Sequence, residues 1–138
     1  MTQRIFLDTN ILIDLVTEKI PFSDQADQLL AIIDEYNIEV YASALSIANI
    51  AFFVTKLRKK PHDIVSKLLQ WIKITDLNRE VIDHAVVSKF SDFEDGLQYF
   101  SAISVKGIEA IITRNKKDFI LSQIPVFTPT EFVKEFIE

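Results

Sequence analysis

The sequence predicts an α/β fold built on a parallel sheet covered by helices on both faces. Two observations carry this. Short apolar runs of strand character alternate with longer segments of helical periodicity, in the order β-α-α-β-α-α-β-α-α-β-β-α. Strands separated by helices pair in parallel, and their helices cover the sheet. The chain of 138 residues also contains no repeat, low-complexity tract or Pro/Ser-rich linker, so a single domain spans 1–138.

Arg4-Ile5-Phe6-Leu7 is an apolar run ending at Asp8 and reads as a buried strand. Ile11, Leu12, Leu15 and Val16 then recur at helical spacing until Pro21 breaks the pattern. Ser23 is placed to cap a second helix over roughly 24–36. Ile38 to Tyr41 alternates as a strand does, and Ser46 is the expected cap of a helix running to about Lys59. Pro61 separates it from another helix carrying Ile64, Val65, Leu68, Leu69, Trp71 and Ile72. A short strand is expected over Ile72 to Asp76, then a helix capped by Asn78 and reaching about Lys89. Ser91 and Glu94 have the spacing of a capping box, which starts a helix to Lys106 closed by Gly107. Ile108 to Ile112 reads as a strand, Val126-Phe127 as a last short one, and Thr130 as the cap of a terminal helix.

Composition removes several function classes. The chain has two glycines, Gly96 and Gly107, too far apart for a dinucleotide fingerprint or a phosphate-binding P-loop. With no Cys there is no disulfide, thiolate nucleophile or Cys-ligated zinc, and His62 and His84 read as structural. No G-x-S-x-G occurs. An aspartyl phosphotransferase would need a second Asp where Asn10 stands. The N-terminus lacks a signal-peptide core, so a cytoplasmic location is expected. The longest apolar stretch, Ile47 to Val54, is too short to span a bilayer. The net charge of −5 argues mildly against broad nucleic-acid coating, and it suits a protein that concentrates carboxylates around metal ions.

In parallel α/β sheets ligands bind beyond the C-terminal ends of the strands. Asp8 ends the first strand and Thr113-Arg114-Asn115 follows the fourth, so both fall at that edge. A carboxylate in Asp8's position caps the next helix or ligates a hard cation. Asp92, Glu94 and Asp95 crowd the first turn of a helix, where acids complement the dipole. Their mutual repulsion would be relieved by a divalent cation. Asp118 lies shortly after the fourth strand, beside Arg114, Lys116 and Lys117, and a second basic group comprises Lys56, Arg58, Lys59 and Lys60. Such cations either solvate helix ends or hold a phosphodiester backbone against metal ions.

The segments IFLDTNILIDL, SALSIANI, DFEDGLQYFSAI and IITRNKKDF occur in the order and spacing of a PIN domain, and the chain most resembles the VapC-type toxins of bacterial toxin–antitoxin systems. The resemblance covers nearly the whole chain. It implies a three-layer α/β/α sandwich and cleavage of RNA with Mg²⁺ or Mn²⁺ held by clustered acids. Asp8 corresponds to the family's first acid, Asn10 to the polar residue that orients it, and Asp95 to the third acid. The second acid is replaced by Asn49 and the fourth by Asn115. These exchanges remove two negative charges, for which Asp118, Glu94 or Asp92 could partly compensate.

The resemblance therefore implies a metal-dependent endoribonuclease toxin in which Asp8, Asp95 and Asp118 hold metal while Asn10, Asn49 and Asn115 line the same pocket. Its partners would be RNA, a small antitoxin and a second copy of the chain. The homodimer is suggested by Phe52, Phe53, Phe132 and Phe136, which supply more apolar surface than one small core needs. The alternative is a catalytically weakened domain that binds RNA or protein without cutting, which the two asparagines favour. Clustered carboxylates should also leave at least one acid with a raised pKa.

Overall fold

The computed structural model describes residues 3–17 and 22–136. Five strands form one sheet: β1 (Arg4–Leu7), β2 (Glu39–Ser43), β3 (Ile72–Thr75), β4 (Ala110–Ile112) and β5 (Val126–Phe127). Their order is β3-β2-β1-β4-β5 and every pairing is parallel. Seven helices connect them among the described residues: α1 (Thr9–Thr17), α2 (Phe22–Glu35), α3 (Ala44–Lys56), α4 (Pro61–Leu68), α5 (Arg79–Val87), α6 (Phe93–Ile103) and α7 (Pro129–Lys134). A 3-10 turn over Lys116–Phe119 follows β4.

Strand alternation divides the core in two. Ile5 and Leu7 of β1 and Ala110 and Ile112 of β4 join one cluster, with Leu12 from α1, Leu29 from α2, Ile50 from α3, Leu68 from α4 and Phe132 from α7. Phe6 and Ile111, one residue out of phase, pack on the other face with Tyr99 and Ala102 of α6 and with Phe119. The central strands are thus buried on both sides, which is why they read as continuous apolar runs. The expected three-layer sandwich is the observed architecture.

The strands were legible to within a residue or two, whereas several caps were not. Ser43, not Ser46, caps α3: its Oγ accepts the Ser46 N–H at 3.0 Å, and Ser46 is a buried residue inside the helix. Asp92, not Ser91, caps α6, and Thr128, not Thr130, caps α7 in a full capping box with Glu131. Ser23 lies within α2 rather than ahead of it. Each displaced assignment chose one of several closely spaced Ser, Thr or Asp residues, all of which can cap. Helix ends were also overextended. α3 stops at Lys56 rather than Lys59, because Arg58 turns into the left-handed region (φ 60°) and lets Lys59 N–H bond back to Val54 O. α4 ends at Leu68, and Ile72 belongs to β3. α5 ends at Val87, and α6 ends at Ile103 with Gly107 (φ 81°) closing the turn before β4. The break expected at Pro21 lies outside the described residues.

The aromatic surface expected to build a homodimer is mostly core. Phe132 is 1% exposed, and Phe53 and Phe136 pack against the same cluster, leaving Phe52 exposed. Among the described residues no helix is long and apolar enough to cross a membrane.

Candidate active site

The strand order fixes where a site can form. From β1 the chain steps to β2 and β3 on one side, then crosses back to place β4 on the other. The connections leaving β1 and β4 therefore diverge and open a crevice beyond their C-terminal ends. Asp8 stands at the end of β1, its N–H bonded to Ile112 O at 2.9 Å, and Thr113 stands at the end of β4.

Asp8 is 8% exposed and is surrounded by donors. Its Oδ1 accepts the Thr9 N–H at 2.9 Å and Gln98 Nε2 at 3.1 Å. Its Oδ2 accepts the Thr113 hydroxyl at 2.8 Å and Asn10 Nδ2 at 3.4 Å. The carboxylate takes the N–H of Thr9, the first residue of α1, and the Asp8 carbonyl accepts the Ile11 N–H at 3.1 Å, so Asp8 also helps start that helix. Burial pushes the Asp8 carboxyl up from its ordinary pKa. Hydrogen bonds from Thr113, Gln98 and Thr9 oppose that rise, and the Asp118 charge adds to it.

Asp95 lies in the first turn of α6, its N–H held by Asp92 Oδ1 at 3.1 Å. Its pKa is pushed up to about 7, first by burial and then by the charges of Asp118, Asp92, Asp8 and Glu94. Asp8, Asp95 and Asp118 therefore share one electrostatic neighbourhood, although they come from three separate connections. Among the described residues no three His, Cys, Asp or Glu side chains close around a single point as a ready-made metal cage. The donor chemistry nonetheless suits a hard cation. The acids present only oxygen, they repel one another, and Mg²⁺ is commonly held by one or two carboxylates with waters completing its shell.

A pH dependence follows. Asp95 titrates near 7 in the folded chain and near 3.8 in the unfolded one. Between those values the folded protein binds more protons, so without metal its stability should fall as pH rises from about 4 to about 7. Denaturant unfolding across that range checks the slope, and saturating Mn²⁺ should flatten it, because a bound cation replaces the proton.

Asn10 stitches the site together. Its Nδ2 also donates to Thr113 Oγ1 at 3.3 Å and its Oδ1 accepts the Arg114 N–H at 3.3 Å. Asn49, on α3, donates to Glu94 Oε1 at 2.8 Å and so brings α3 against the first turn of α6 beside Asp95. Asn115 is exposed, and its backbone N–H bonds to Thr113 Oγ1 at 3.1 Å.

The basic residues divide. Arg114 and Lys116 are at this edge but engaged. Arg114 pairs with the buried Asp14 at 2.7 Å and lies over the Phe22 ring at 4.1 Å, while Lys116 pairs with Glu131 at 3.1 Å. Lys117 is exposed in the 3-10 turn. Lys56, Arg58, Lys59 and Lys60 lie at and beyond the far end of α3, a helix about 20 Å long. There Lys59 Nζ reaches Val16 O, near the end of α1 opposite Asp8. This second group is not brought to the crevice.

Sequence reasoning missed Gln98, Thr113, Ser43 and Ser46 as individual members of the site. Thr113 had a signal, the polar residue directly after β4. Gln98 had none, because its partners lie up to 90 residues away.

Fold and site together define an α/β sandwich with three electrostatically coupled acids at the switch point of its sheet. The chain belongs to the PIN domain family, whose model matches residues 4–117. Its fold is shared with solved structures that include the following three. The crystal structure of VapBC2 from Rickettsia felis bound to a DNA fragment from their promoter superposes with a TM-score of 0.67 at 18% identity, over 90% of this chain and 97% of that one. A toxin–antitoxin complex from Klebsiella pneumoniae gives 0.68 at 23% identity, over 91% and 97%. PAE2754 from Pyrobaculum aerophilum gives 0.60 at 16% identity, over 99% and 91%. No curated protein matches the chain.

Proposed function

We propose that this PIN domain is a metal-dependent endoribonuclease, the toxin of a bacterial toxin–antitoxin pair acting in the cytoplasm. The observation that carries the reading is Asp8, a buried carboxylate presented by four donors at the switch point and sharing its field with Asp95 and Asp118. The antitoxin partner is supported by the two similar structures described as VapBC2 and as a toxin–antitoxin complex. A second copy of the chain is the remaining proposed partner.

Asp8 and Asp95 would hold Mg²⁺ or Mn²⁺, with Asp118 adding charge to the same crevice. Such an ion would supply a nucleophilic water at neutral pH and would offset charge on the phosphate. Asn10 keeps Asp8 and the Thr113–Arg114 backbone in register. Asn49, already a donor to Glu94, orients outer-shell groups from the α3 side, and Asn115 lines the opposite wall. Lys117, exposed beside the ion-paired Arg114 and Lys116, favours the approach of a polyanionic backbone.

The test is cleavage of a fluorogenic RNA with Mn²⁺ and after chelation. Manganese-dependent cleavage is expected, and RNA binding without cleavage at any Mn²⁺ concentration would favour the non-cleaving module. That second reading rests on the commitment of Asn49 to a hydrogen bond with Glu94, where an acid would face the crevice. Restoring charge gives a graded outcome. Asn115→Asp should raise Mn²⁺ affinity measured by calorimetry, because the site is exposed and gains an anionic oxygen. Asn49→Glu should raise it less, because the new carboxylate faces Glu94.

A further inference from the structure

Gln98 is 2% exposed and bonds to four residues on two other connections of the fold, β1–α1 and β2–α3. Its Nε2, with two protons to share, lies within hydrogen-bond distance of three acceptors, Asp8 Oδ1 at 3.1 Å, Thr9 Oγ1 at 3.1 Å and Ser46 Oγ at 2.8 Å, while its Oε1 accepts the Ser43 hydroxyl. The amide can sit only one way round. The Ser43 oxygen accepts the Ser46 N–H as the α3 cap, and its hydroxyl meets Gln98 Oε1 more closely than it meets Ser46 Oγ, at 3.2 Å. Reversing the amide would set Oε1 against Asp8 Oδ1, two acceptors facing each other in a dry site. The acceptor-only Asp8 carboxylate thus fixes which edge of Gln98 faces it, and the Ser43 hydroxyl at the end of β2 meets the other edge.

Gln98 also lies three residues beyond Asp95 on α6, on the same helix face. A side chain anchored to Asp8 at one end and to α6 at the other sets how that helix, and Asp95 with it, stands relative to β1. We propose that Gln98 is a positioning residue that fixes the orientation of the Asp8 carboxylate and the Asp8–Asp95 spacing required for a divalent cation. This rests on the reading of Asp8 as a metal-holding residue.

The test is a double-mutant cycle on Mn²⁺ affinity, measured by calorimetry with full-length protein: wild type, Gln98→Met, Asp8→Asn and the pair. Gln98→Met keeps the side-chain volume and should weaken Mn²⁺ binding about 10- to 100-fold, as loss of an outer-shell partner does. In the Asp8→Asn background the same change should have little effect, because Gln98 acts through Asp8. Wild-type affinity in Gln98→Met, or an equal loss in both backgrounds, overturns the proposal. If Asp8→Asn itself binds Mn²⁺ as tightly as wild type, the reading of Asp8 and this proposal fall together; if only Gln98→Met is silent, this proposal falls alone. Should Gln98→Met fail to fold, the wild-type protein decides by NMR. The Gln98 side-chain amide protons should exchange slowly and shift on addition of Mg²⁺, whereas protons that exchange at the rate of an exposed Gln or ignore Mg²⁺ overturn it.

Discussion

Asp8→Asn should lower Mn²⁺-dependent RNA cleavage by about a thousandfold, the equivalent of roughly 4 kcal/mol of lost transition-state stabilisation. Every polar neighbour of Asp8 donates to it: Thr9 N–H, Gln98 Nε2, Asn10 Nδ2 and the Thr113 hydroxyl. An asparagine would accept with one side and turn its own donors toward this ring with the other. It would also remove the charge to which a cation responds. The fold should survive, because losing a buried charge offsets part of the hydrogen-bond loss. Single-turnover cleavage compared with circular dichroism of the same samples separates a lost site from lost structure. Near-wild-type cleavage by folded Asp8→Asn would remove Asp8 from the chemistry.

Phe132→Ala is expected to cost about 3–5 kcal/mol of stability, the usual range for emptying a buried aromatic site. Phe132 is 1% exposed and packs with Phe127, at a ring-centroid distance of 5.8 Å, and with Phe136, at 5.2 Å. It joins α7 to the cluster beneath β1 and β4. Phe52→Ala, at an exposed position on α3, should leave the monomer's stability nearly unchanged. Urea unfolding of both variants measures the contrast, and equal costs would contradict the division between core and surface.

That contrast shows where the sequence was informative. β1 was legible because an apolar run closes on Asp8, and the crevice was legible because Asp8 and Thr113 both end strands of a parallel sheet. Phe132 misled because phenylalanines in and just after a terminal helix look alike in sequence whether that segment packs on its own domain or on another. Asp8 and Asp118 were singled out by their places after strands and Asp95 by the resemblance to PIN domains, and folding sets the charges of all three near enough to act on one another. Gln98 was not, because a glutamine inside a helix has no local pattern and its role depends on contacts with Asp8, Ser43 and Ser46 that only folding creates. Asn49 was read as a lost acid, yet its amide meets Glu94, so part of the negative charge at this wall of the crevice comes from α6 instead of α3.

The most direct measurement is anomalous diffraction from crystals of the protein soaked in Mn²⁺. The account predicts a manganese peak in the crevice beyond β1 and β4, bonded to carboxylate oxygens of Asp8 and Asp95 at about 2.0–2.3 Å, with waters filling the remaining positions. A well-ordered crevice holding no manganese at saturating concentration, or manganese bound elsewhere without touching Asp8 or Asp95, would contradict it.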